Sequence, residues 1–482
     1  MTTATGRNFI GGRWLDTDDV ANDTDPGNGD VVGVLARATA ADVDKAVEAA
    51  TRASQEWADT PASARGTILR RAADELESSA PEWGRLMTRE MGKPWPEARV
   101  ESARAAAILR FFAGEAHRPY GEHYASDTAQ TWLFTRRHPV GIVGIITPWN
   151  FPAAIPAWKL APALLFGNTV IFKAADDAVL TGLRIVEALE RAGLPPGVLN
   201  AVVGKGSVVG PAIAEHPAID GISFTGSTET GRGILETASR TAKRVQLEMG
   251  GHNPVIVRSD AALDAAVAAV ALGAFASAGQ KCTATRRVYV ARDLYDDFTE
   301  KLVAKATDMK VGYGLDEGVE MGPLVNEVQL QGVLEALERA EKEGRLRCGG
   351  KRLTDEPYAR GSYMGPAVFT DLPHDAEFAC EEVFGPNVAV WPVDNDDEAI
   401  DLANGTKYDL SAAIFTRDLD SAKAFVEKIR AGIVHVNSQT AGAEVHVPFG
   451  GLAGSGYGPH EQGRAAIEFY TTTKTVYLDP AG

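Results

Sequence analysis

Short apolar runs alternate with helical stretches between residues 140 and 250, and this alternation restricts the chain to few folds. One predicted helix, Leu183–Ala192, is ended by Gly193 and by Pro195 and Pro196. Strands that alternate with helices form a doubly wound parallel sheet, which binds ligands at the carboxyl ends of its strands. The predicted fold class is therefore α/β. The strands predicted here are Ile142–Ile146, Thr169–Lys173, Leu199–Val203, Ile222–Thr225 and Val245–Leu247.

The alternation begins again after Gly251 and predicts a second α/β unit over residues 251–450. A chain of 482 residues is too long for one core, so two or three domains are expected. Before residue 119, Thr39 and Asp42 form the pattern that caps a helix, and two further helical patterns follow. The other elements predicted are helices Ser63–Leu76, Glu97–Ala116 and Leu263–Phe275, and strands Pro254–Val257, Arg287–Val290 and Ala412–Thr416.

Composition excludes several classes of protein. The formal charge of −17, from 48 basic and 65 acidic residues, opposes binding to nucleic acid or to an anionic membrane. The 3 cysteines are an odd number without a C-x-x-C pair, so neither a disulfide framework nor a zinc site is expected. No histidine has metal-ligand spacing, and prolines interrupt the longest apolar tract. We expect a cytoplasmic protein without a metal or a membrane segment.

One cysteine, Cys282, lies on a glycine turn directly after the apolar helix Leu263–Phe275. A thiol acts as a nucleophile only as a thiolate, which requires a base or positive surroundings. Glu248 ends a short apolar strand and is a candidate base, because partial desolvation raises the pKa of a carboxyl group. Asn150 offers an amide donor to an oxyanion. These residues predict carbonyl chemistry; the alternative is a buried, inert cysteine.

Six segments resemble the aldehyde dehydrogenase superfamily, in the family's order and over nearly the whole chain. The resemblance implies an aldehyde dehydrogenase fold with a Rossmann-like dinucleotide-binding domain (residues 1–119 and 140–250) and a catalytic domain (251–450). Residues 120–139 and 468–482 would form a small β extension that joins a homodimer or homotetramer. The segments are Pro148-Trp149-Asn150-Phe151-Pro152, Phe224-Thr225-Gly226-Ser227, Leu247-Glu248-Met249-Gly250-Gly251, Gly279-Gln280-Lys281-Cys282, Glu381-Glu382-Val383-Phe384-Gly385-Pro386 and Pro448-Phe449-Gly450-Gly451.

The same resemblance implies a role for each motif residue. Cys282 is the nucleophile, Glu248 activates the thiol or the deacylating water, and Asn150 joins the Cys282 N–H in an oxyanion hole; Lys159 completes the catalytic set. A helix that starts at Gly226-Ser227 can hold a pyrophosphate, although such a start is also an ordinary helix cap. The residues expected to bind NAD or NADP are Thr147, Pro148, Trp149, Lys173, Asp176, Gly206, Phe224, Thr225, Gly226, Ser227, Glu382 and Phe384.

The chain departs from the family at the adenosine ribose, where Lys173-Ala174-Ala175-Asp176 replaces the usual Lys-Pro-x-Glu. A carboxylate there accepts hydrogen bonds from the ribose hydroxyls and repels a 2′-phosphate, which favours NAD. A shorter carboxylate retreats, and Lys173 can then offset the phosphate. The sequence therefore leaves the choice between NAD and NADP open.

Members similar to succinate-semialdehyde dehydrogenases hold the substrate carboxylate with two arginines, at positions occupied here by Trp158 and Ala276. Four stretches instead resemble 2-ketoglutarate semialdehyde (2,5-dioxopentanoate) dehydrogenases: 155–159, 279–285, 437–442 and 461–464. This resemblance implies oxidation of 2-ketoglutarate semialdehyde to 2-ketoglutarate. The expected substrate contacts are Phe151, Trp158, Ser438, Gln439 and Phe449.

Three other interpretations remain open at the level of sequence. One is a succinate-semialdehyde or broad-specificity aldehyde dehydrogenase. Another is a cofactor-free thiol hydrolase that uses the same cysteine, although it leaves the Gly226 and Glu382 motifs unexplained. The third is a non-catalytic scaffold, against which the presence of Cys282, Glu248 and Asn150 argues.

Overall fold

The computed structural model describes residues 4–118 and 121–480; the outermost parts of the predicted segments (residues 1–3, 119, 120, 481 and 482) lie outside the described residues. The second and third strands form a β-hairpin, and its turn uses the positive φ angles of Gly11 and Gly12 (60° and 78°). The first elements are β1 Ala4–Gly6, β2 Asn8–Ile10, β3 Arg13–Leu15, β4 Val20–Thr24, β5 Val31–Ala36, α1 Ala40–Asp59, α2 Ala62–Ser78, α3 Ala80–Met91 and α4 Trp95–Glu115.

The middle of the chain has the predicted alternation of strands and helices. Strands Ile142–Ile146 and Thr169–Lys173 have the predicted bounds, and every residue in them is buried. The elements are β6 His123–Tyr124, β7 Trp132–Pro139, β8 Ile142–Ile146, α5 Ala154–Leu165, β9 Thr169–Lys173, α6 Val179–Arg191, β10 Leu199–Ala201, α7 Gly206–Glu215, β11 Gly221–Thr225, α8 Thr228–Ser239 and β12 Arg244–Glu248.

The remainder contains a second sheet with its helices. Its elements are β13 Asn253–Val257, α9 Leu263–Phe275, β14 Thr285–Ala291, α10 Tyr295–Thr307, α11 Glu327–Glu341, β15 Arg345–Cys348, β16 Ala367–Thr370, α12 Glu377–Cys380, β17 Asn387–Val393, α13 Asp396–Ala403, β18 Ser411–Phe415, α14 Leu419–Lys428 and β19 Ile433–Val436. The last elements are β20 Gly456–Tyr457, α15 Ala466–Tyr470 and β21 Thr471–Leu478.

Two large sheets organise the fold. An 8-stranded sheet has the order β20-β12-β11-β8-β9-β10-β2-β3, with a parallel centre and antiparallel strands at both edges. A 7-stranded sheet has the order β15-β16-β17-β14-β13-β18-β19 and is antiparallel only at β15. Three-stranded sheets are formed by β1, β5 and β4 and by β21, β7 and β6. The predicted pairing of the C-terminal strand with the segment before Pro139 is confirmed, because β21 and β7 run antiparallel.

The chain passes from one large sheet to the other between Glu248, the last residue of β12, and Asn253, the first residue of β13. Gly251 lies in this connection, and a Cβ on it would lie 2.3 Å from the carbonyl oxygen of Cys282. Asn253 Nδ2 donates to the carbonyls of Cys282 and Ala284, each at 2.8 Å. The connection therefore fixes the cysteine loop against the ends of both sheets.

Candidate active site

A strained loop carries Cys282. Three successive residues, Ser277, Ala278 and Gly279, have left-handed φ angles of 55°, 51° and 65°. Such a backbone persists only where its surroundings hold it. The carboxylate of Glu97 accepts a hydrogen bond from Ser277 Oγ (2.5 Å), and Gln280 Oε1 accepts one from the Val325 N–H (3.0 Å). The position of the thiol is therefore fixed by contacts to α4 and to the segment before α11.

The thiol of Cys282 is free and half-buried. Burial raises the pKa of the thiol above its ordinary range, and the charges of Glu382 and Glu248 raise it further. Asn150 lies beside this loop, since its Nδ2 donates to the carbonyl of Gln280 at 3.1 Å. The second hydrogen of that amide has no recorded acceptor in the described part of the chain. A nucleophile, an amide donor and carboxylates therefore meet at one place.

Glu248 is 3% exposed and lies beside a buried ion pair. Burial raises the pKa of Glu248 well above its ordinary value, and the charge of Glu461 adds to the effect, which agrees with the predicted desolvation. Lys159 forms an ion pair with Glu461 and donates to Ser223 Oγ at 2.9 Å. In the structure Lys159 therefore contacts Glu461 and Ser223. No contact between Lys159 and Cys282 is recorded among the described residues.

Sequence reasoning missed Glu461 as a member of the site. A lysine at position 159, in the apolar helix Ala154–Leu165, requires a buried partner, and this requirement is the signal that could have indicated a carboxylate. Its position, 302 residues further along the chain, is set by the fold. Gln462, the next residue, has a strained backbone (φ 58°, ψ 170°) and a buried amide with no recorded partner among the described residues.

A cavity of about 710 Å³ opens at the carboxyl ends of β8, β9 and β11. All the predicted cofactor residues except Glu382 and Phe384 line it. Those two lie nearby: the ring of Phe384 meets Trp149 edge-on with centroids 5.5 Å apart, and Glu382 accepts the Gly251 N–H at 3.1 Å. Burial raises the pKa of Glu382 to about 7.

Both ends of this cavity have polar groups suited to a nucleotide. Asp176 pairs with Lys173 (2.5 Å) and accepts the Gly206 N–H (3.0 Å) at the start of α7. Ser227 caps α8 by accepting the Thr230 N–H at 3.3 Å. The helix-cap interpretation is therefore correct, and it leaves backbone N–H groups directed at the cavity. The predicted cofactor residues did not include the other lining residues on α7 and α8: Ser207, Gly210, Pro211, Ala214, Glu215, Thr230, Gly233, Ile234 and Thr237.

The predicted substrate residues differ in their surroundings. The rings of Trp158 and Phe449 pack together with centroids 5.4 Å apart, and Lys93 Nζ lies 3.9 Å from the centroid of the Phe151 ring. Gln439 has a buried Oε1 without a recorded partner in the described chain. Ser438 is exposed, and its Oγ lies 3.2 Å from His435 Nδ1. The structure brings Trp158 and Phe449 together and records no contact between Ser438 and the other predicted residues.

Arg286 and Arg287, the arginines nearest to Cys282 in sequence, form hydrogen bonds with backbone carbonyls. Arg286 donates to the carbonyls of Gly279, Gly385 and Asn387. Arg287 donates to those of His252, Leu402 and Ala403. Both guanidinium groups are buried and each donates to three backbone carbonyls, while Arg286 Nε has no recorded partner in the described part of the chain.

Comparisons with known proteins agree with this geometry. The model of the aldehyde dehydrogenase family matches residues 14–476. The chain therefore belongs to the aldehyde dehydrogenase family, and it is an oxidoreductase. It is 44% identical over 477 residues to alpha-ketoglutaric semialdehyde dehydrogenase of Bacillus subtilis, covering 98% of each chain. It is likewise 44% identical over 480 residues to alpha-ketoglutarate semialdehyde dehydrogenase of Haloferax volcanii, covering 98% of this chain and 99% of the relative.

A solved structure confirms the predicted fold. Betaine aldehyde dehydrogenase of Staphylococcus aureus, in complex with NAD+, superposes with a TM-score of 0.96 at 32% identity, over 98% of this chain and 95% of that one. Across residues 4–118 and 121–480, no helix has the length and apolar character needed to cross a membrane. The same residues contain no group of 3 or more His, Cys, Asp or Glu side chains placed to hold a metal ion.

Proposed function

We propose that this chain oxidises 2-ketoglutarate semialdehyde to 2-ketoglutarate with NAD+ or NADP+. The observation that carries the chemistry is the meeting of Cys282, Asn150 and Glu248 at the ends of two sheets. The names of the two relatives at 44% identity support the substrate. Trp158 and Phe449 provide an apolar wall for a short carbon chain.

The residues divide the reaction into two stages. Glu248, or water held by it, accepts the thiol proton while Sγ of Cys282 attacks the aldehyde carbon and forms a thiohemiacetal. The Asn150 amide and the Cys282 N–H stabilise the oxyanion, a contribution of about 3 kcal/mol per donor. NAD(P)+, when bound, supplies the hydride acceptor for this carbon. Glu248 then removes a proton from the water that hydrolyses the Cys282 thioester, which releases the acid and the free thiol.

The cofactor assignment rests on the cavity at Thr147 to Trp149 and on the Lys173–Asp176 pair. Asp176 favours ribose hydroxyls, and Lys173, 2.5 Å from it, offsets a 2′-phosphate. We therefore propose that both NAD+ and NADP+ are used. Residues 1–119 with 140–250 form the dinucleotide-binding domain in this proposal, and residues 251–450 the catalytic domain. Residues 120–139 and 468–482 join the subunits of a cytoplasmic homodimer or homotetramer.

A panel of aldehydes tests the proposed substrate. We expect kcat/KM to be higher for 2-ketoglutarate semialdehyde than for succinate semialdehyde or hexanal, with formation of the reduced cofactor as the readout. Cys282→Ala should be inactive, whereas Cys348→Ala should retain the activity. A clear preference for hexanal would contradict the assignment. Hydrolysis of a carboxylic ester without cofactor, together with no cofactor reduction by any aldehyde of the panel, would favour a thiol hydrolase.

A further inference from the structure

One face of α4 contacts three parts of the active site. Glu97, Glu101 and Arg104 are separated by four and three residues, so their side chains lie on the same side of the helix. Glu97 holds Ser277 in the cysteine loop, and Glu101 Oε1 accepts the N–H groups of Ala153 (2.9 Å) and Ala154 (3.1 Å) at the start of α5. Arg104 lies about 4.5 Å beyond Glu101 along the helix axis.

Arg104 faces the loop that leads to Phe449. Its guanidinium donates to the carbonyl of Ala443. Two residues on, the carbonyl of Val445 accepts the Gly463 N–H at 3.4 Å. The backbones of Phe449 and Glu461 exchange hydrogen bonds of 2.8 and 2.7 Å. Trp158 of α5 packs on Phe449. The contacts of Arg104, Phe449 and Trp158 therefore link α4, the loop and α5 to one another.

The charge of Arg104 lacks a close counter-ion. Among residues 4–118 and 121–480 no carboxylate lies within 4.0 Å of the guanidinium, and Glu101 is already paired with Lys93. Glu444 is exposed, and its negative charge raises the pKa of Arg104 without a direct ion pair. Burial lowers the pKa of Arg104, but a guanidinium stays charged at neutral pH. Only one bond from its five N–H donors is recorded, so the others can bind an anion.

Neutral hydrogen-bond donors lie among the residues that link α4, α5 and the loop. Trp158 Nε1 and the amide of Gln462 are buried and have no recorded partner in the described part of the chain. Buried donors in native proteins normally have acceptors. A 2-keto acid presents carboxylate and keto oxygens, which are acceptors of the required kind.

We propose that Arg104 binds the distal carboxylate of the substrate, a specificity role that rests on the proposed function. The other nearby cations are less suited to it. Lys281 Nζ donates to the carbonyl of Leu272 at 3.1 Å, and Lys281 directly precedes Cys282, where the aldehyde end reacts. Arg286 and Arg287 each donate to three backbone carbonyls, whereas Arg104 donates to one.

The test compares Arg104→Met, Arg104→Lys, Lys281→Met and the control Arg110→Met with 2-ketoglutarate semialdehyde and hexanal. Arg110 lies on the same helix and pairs with Asp74 and Glu77 at the surface. Arg104→Met should lower kcat/KM for the charged substrate by about 10- to 100-fold, chiefly through KM, and change it for hexanal by less than about threefold. Arg104→Lys should recover part of the loss, and Arg110→Met should leave both values unchanged.

The possible outcomes separate this inference from the proposed function. A wild-type enzyme without preference for 2-ketoglutarate semialdehyde would contradict the proposed function. A wild-type preference that survives in Arg104→Met would overturn the role of Arg104 alone. Equal losses for both aldehydes would show that Arg104 only supports the loop at Ala443, and loss of the preference in Lys281→Met but not in Arg104→Met would assign the carboxylate to Lys281.

Discussion

Lys159 and Glu461 form an ion pair in the interior, with side chains that are 0% and 2% exposed. Both lie close enough to Glu248 to affect its ionisation. The negative charge of Glu461 raises the pKa of Glu248, whereas the positive charge of Lys159 lowers it. The pKa of Glu248, the proposed base, therefore depends on an ion pair between α5 and a residue near the C-terminus.

The pH dependence of turnover should report this tuning. Glu248 acts as a base only when ionised, so its raised pKa places the acid limb of the kcat profile above the ordinary carboxyl range. Glu461→Gln removes a negative charge and leaves Lys159 without its partner, and both changes favour ionised Glu248. We expect the acid limb to move to lower pH by about one unit.

Glu300→Gln is the matched control, because Glu300 is exposed and pairs with Arg347 on the surface of α10. It should leave the limb in place. Breaking the buried pair in Glu461→Gln should cost about 3–5 kcal/mol of stability, so the profile is measured below the lowered unfolding temperature. A limb that stays or moves to higher pH would contradict the coupling.

Glu248→Gln should separate the two stages of the reaction. The amide cannot accept a proton from water, so hydrolysis of the Cys282 thioester should slow more than the first stage does. Rapid mixing should show a burst of reduced cofactor followed by turnover reduced by about 100-fold or more. Turnover at the wild-type rate would show that another group activates the water.

The sequence predicted those parts of the fold that local signals define. The helix Leu263–Phe275 has the predicted bounds, because it is a continuous apolar run that ends at the cysteine turn. Helix α3, Ala80–Met91, was missed, since Pro81 and Gly84 weaken its helical pattern. The two-residue strand Gly456–Tyr457 has no periodicity, and only its pairing with Leu247 and Glu248 makes it a strand.

The candidate site shows the same limit. Cys282, Glu248 and Asn150 each stand in a short motif that resembles the aldehyde dehydrogenase superfamily, and their residue types suit a nucleophile, a base and an oxyanion donor. Glu461 and Arg104 were not found, because their contacts are with residues far away in the sequence. Glu461 pairs with Lys159, 302 positions away, and Arg104 donates to Ala443, 339 positions away. Apolar residues such as Ala214 and Ile234 line the cofactor cavity only because α7 and α8 lie side by side.

Asp176→Ser should shift the cofactor preference towards NADP+. The change removes a carboxylate that repels a 2′-phosphate and frees Lys173, now 2.5 Å from Asp176, to attract it. We expect the ratio of kcat/KM for NADP+ over NAD+ to rise by about 10-fold. Asp177→Ser is the neighbouring control for loss of a negative charge alone, since Asp177 also lines the cavity but accepts a hydrogen bond from Asn326 instead of pairing with Lys173. An unchanged ratio in Asp176→Ser would place recognition of the 2′ position elsewhere.

The sheet of β21, β7 and β6 should mediate assembly. Strands β7 and β21 pair over their whole lengths, from Thr471 opposite Pro139 to Leu478 opposite Trp132. In the single chain this sheet leaves Trp132 66% exposed and Tyr477 68% exposed, and apolar surface of this kind marks an interface. Trp132→Asp places a charge in the proposed contact and should convert the proposed dimer or tetramer to monomers in sedimentation velocity. Val328→Asp, at an 82% exposed position on α11, should sediment as the wild type does. A Trp132→Asp variant that keeps the wild-type sedimentation coefficient would show that the subunits meet through another surface.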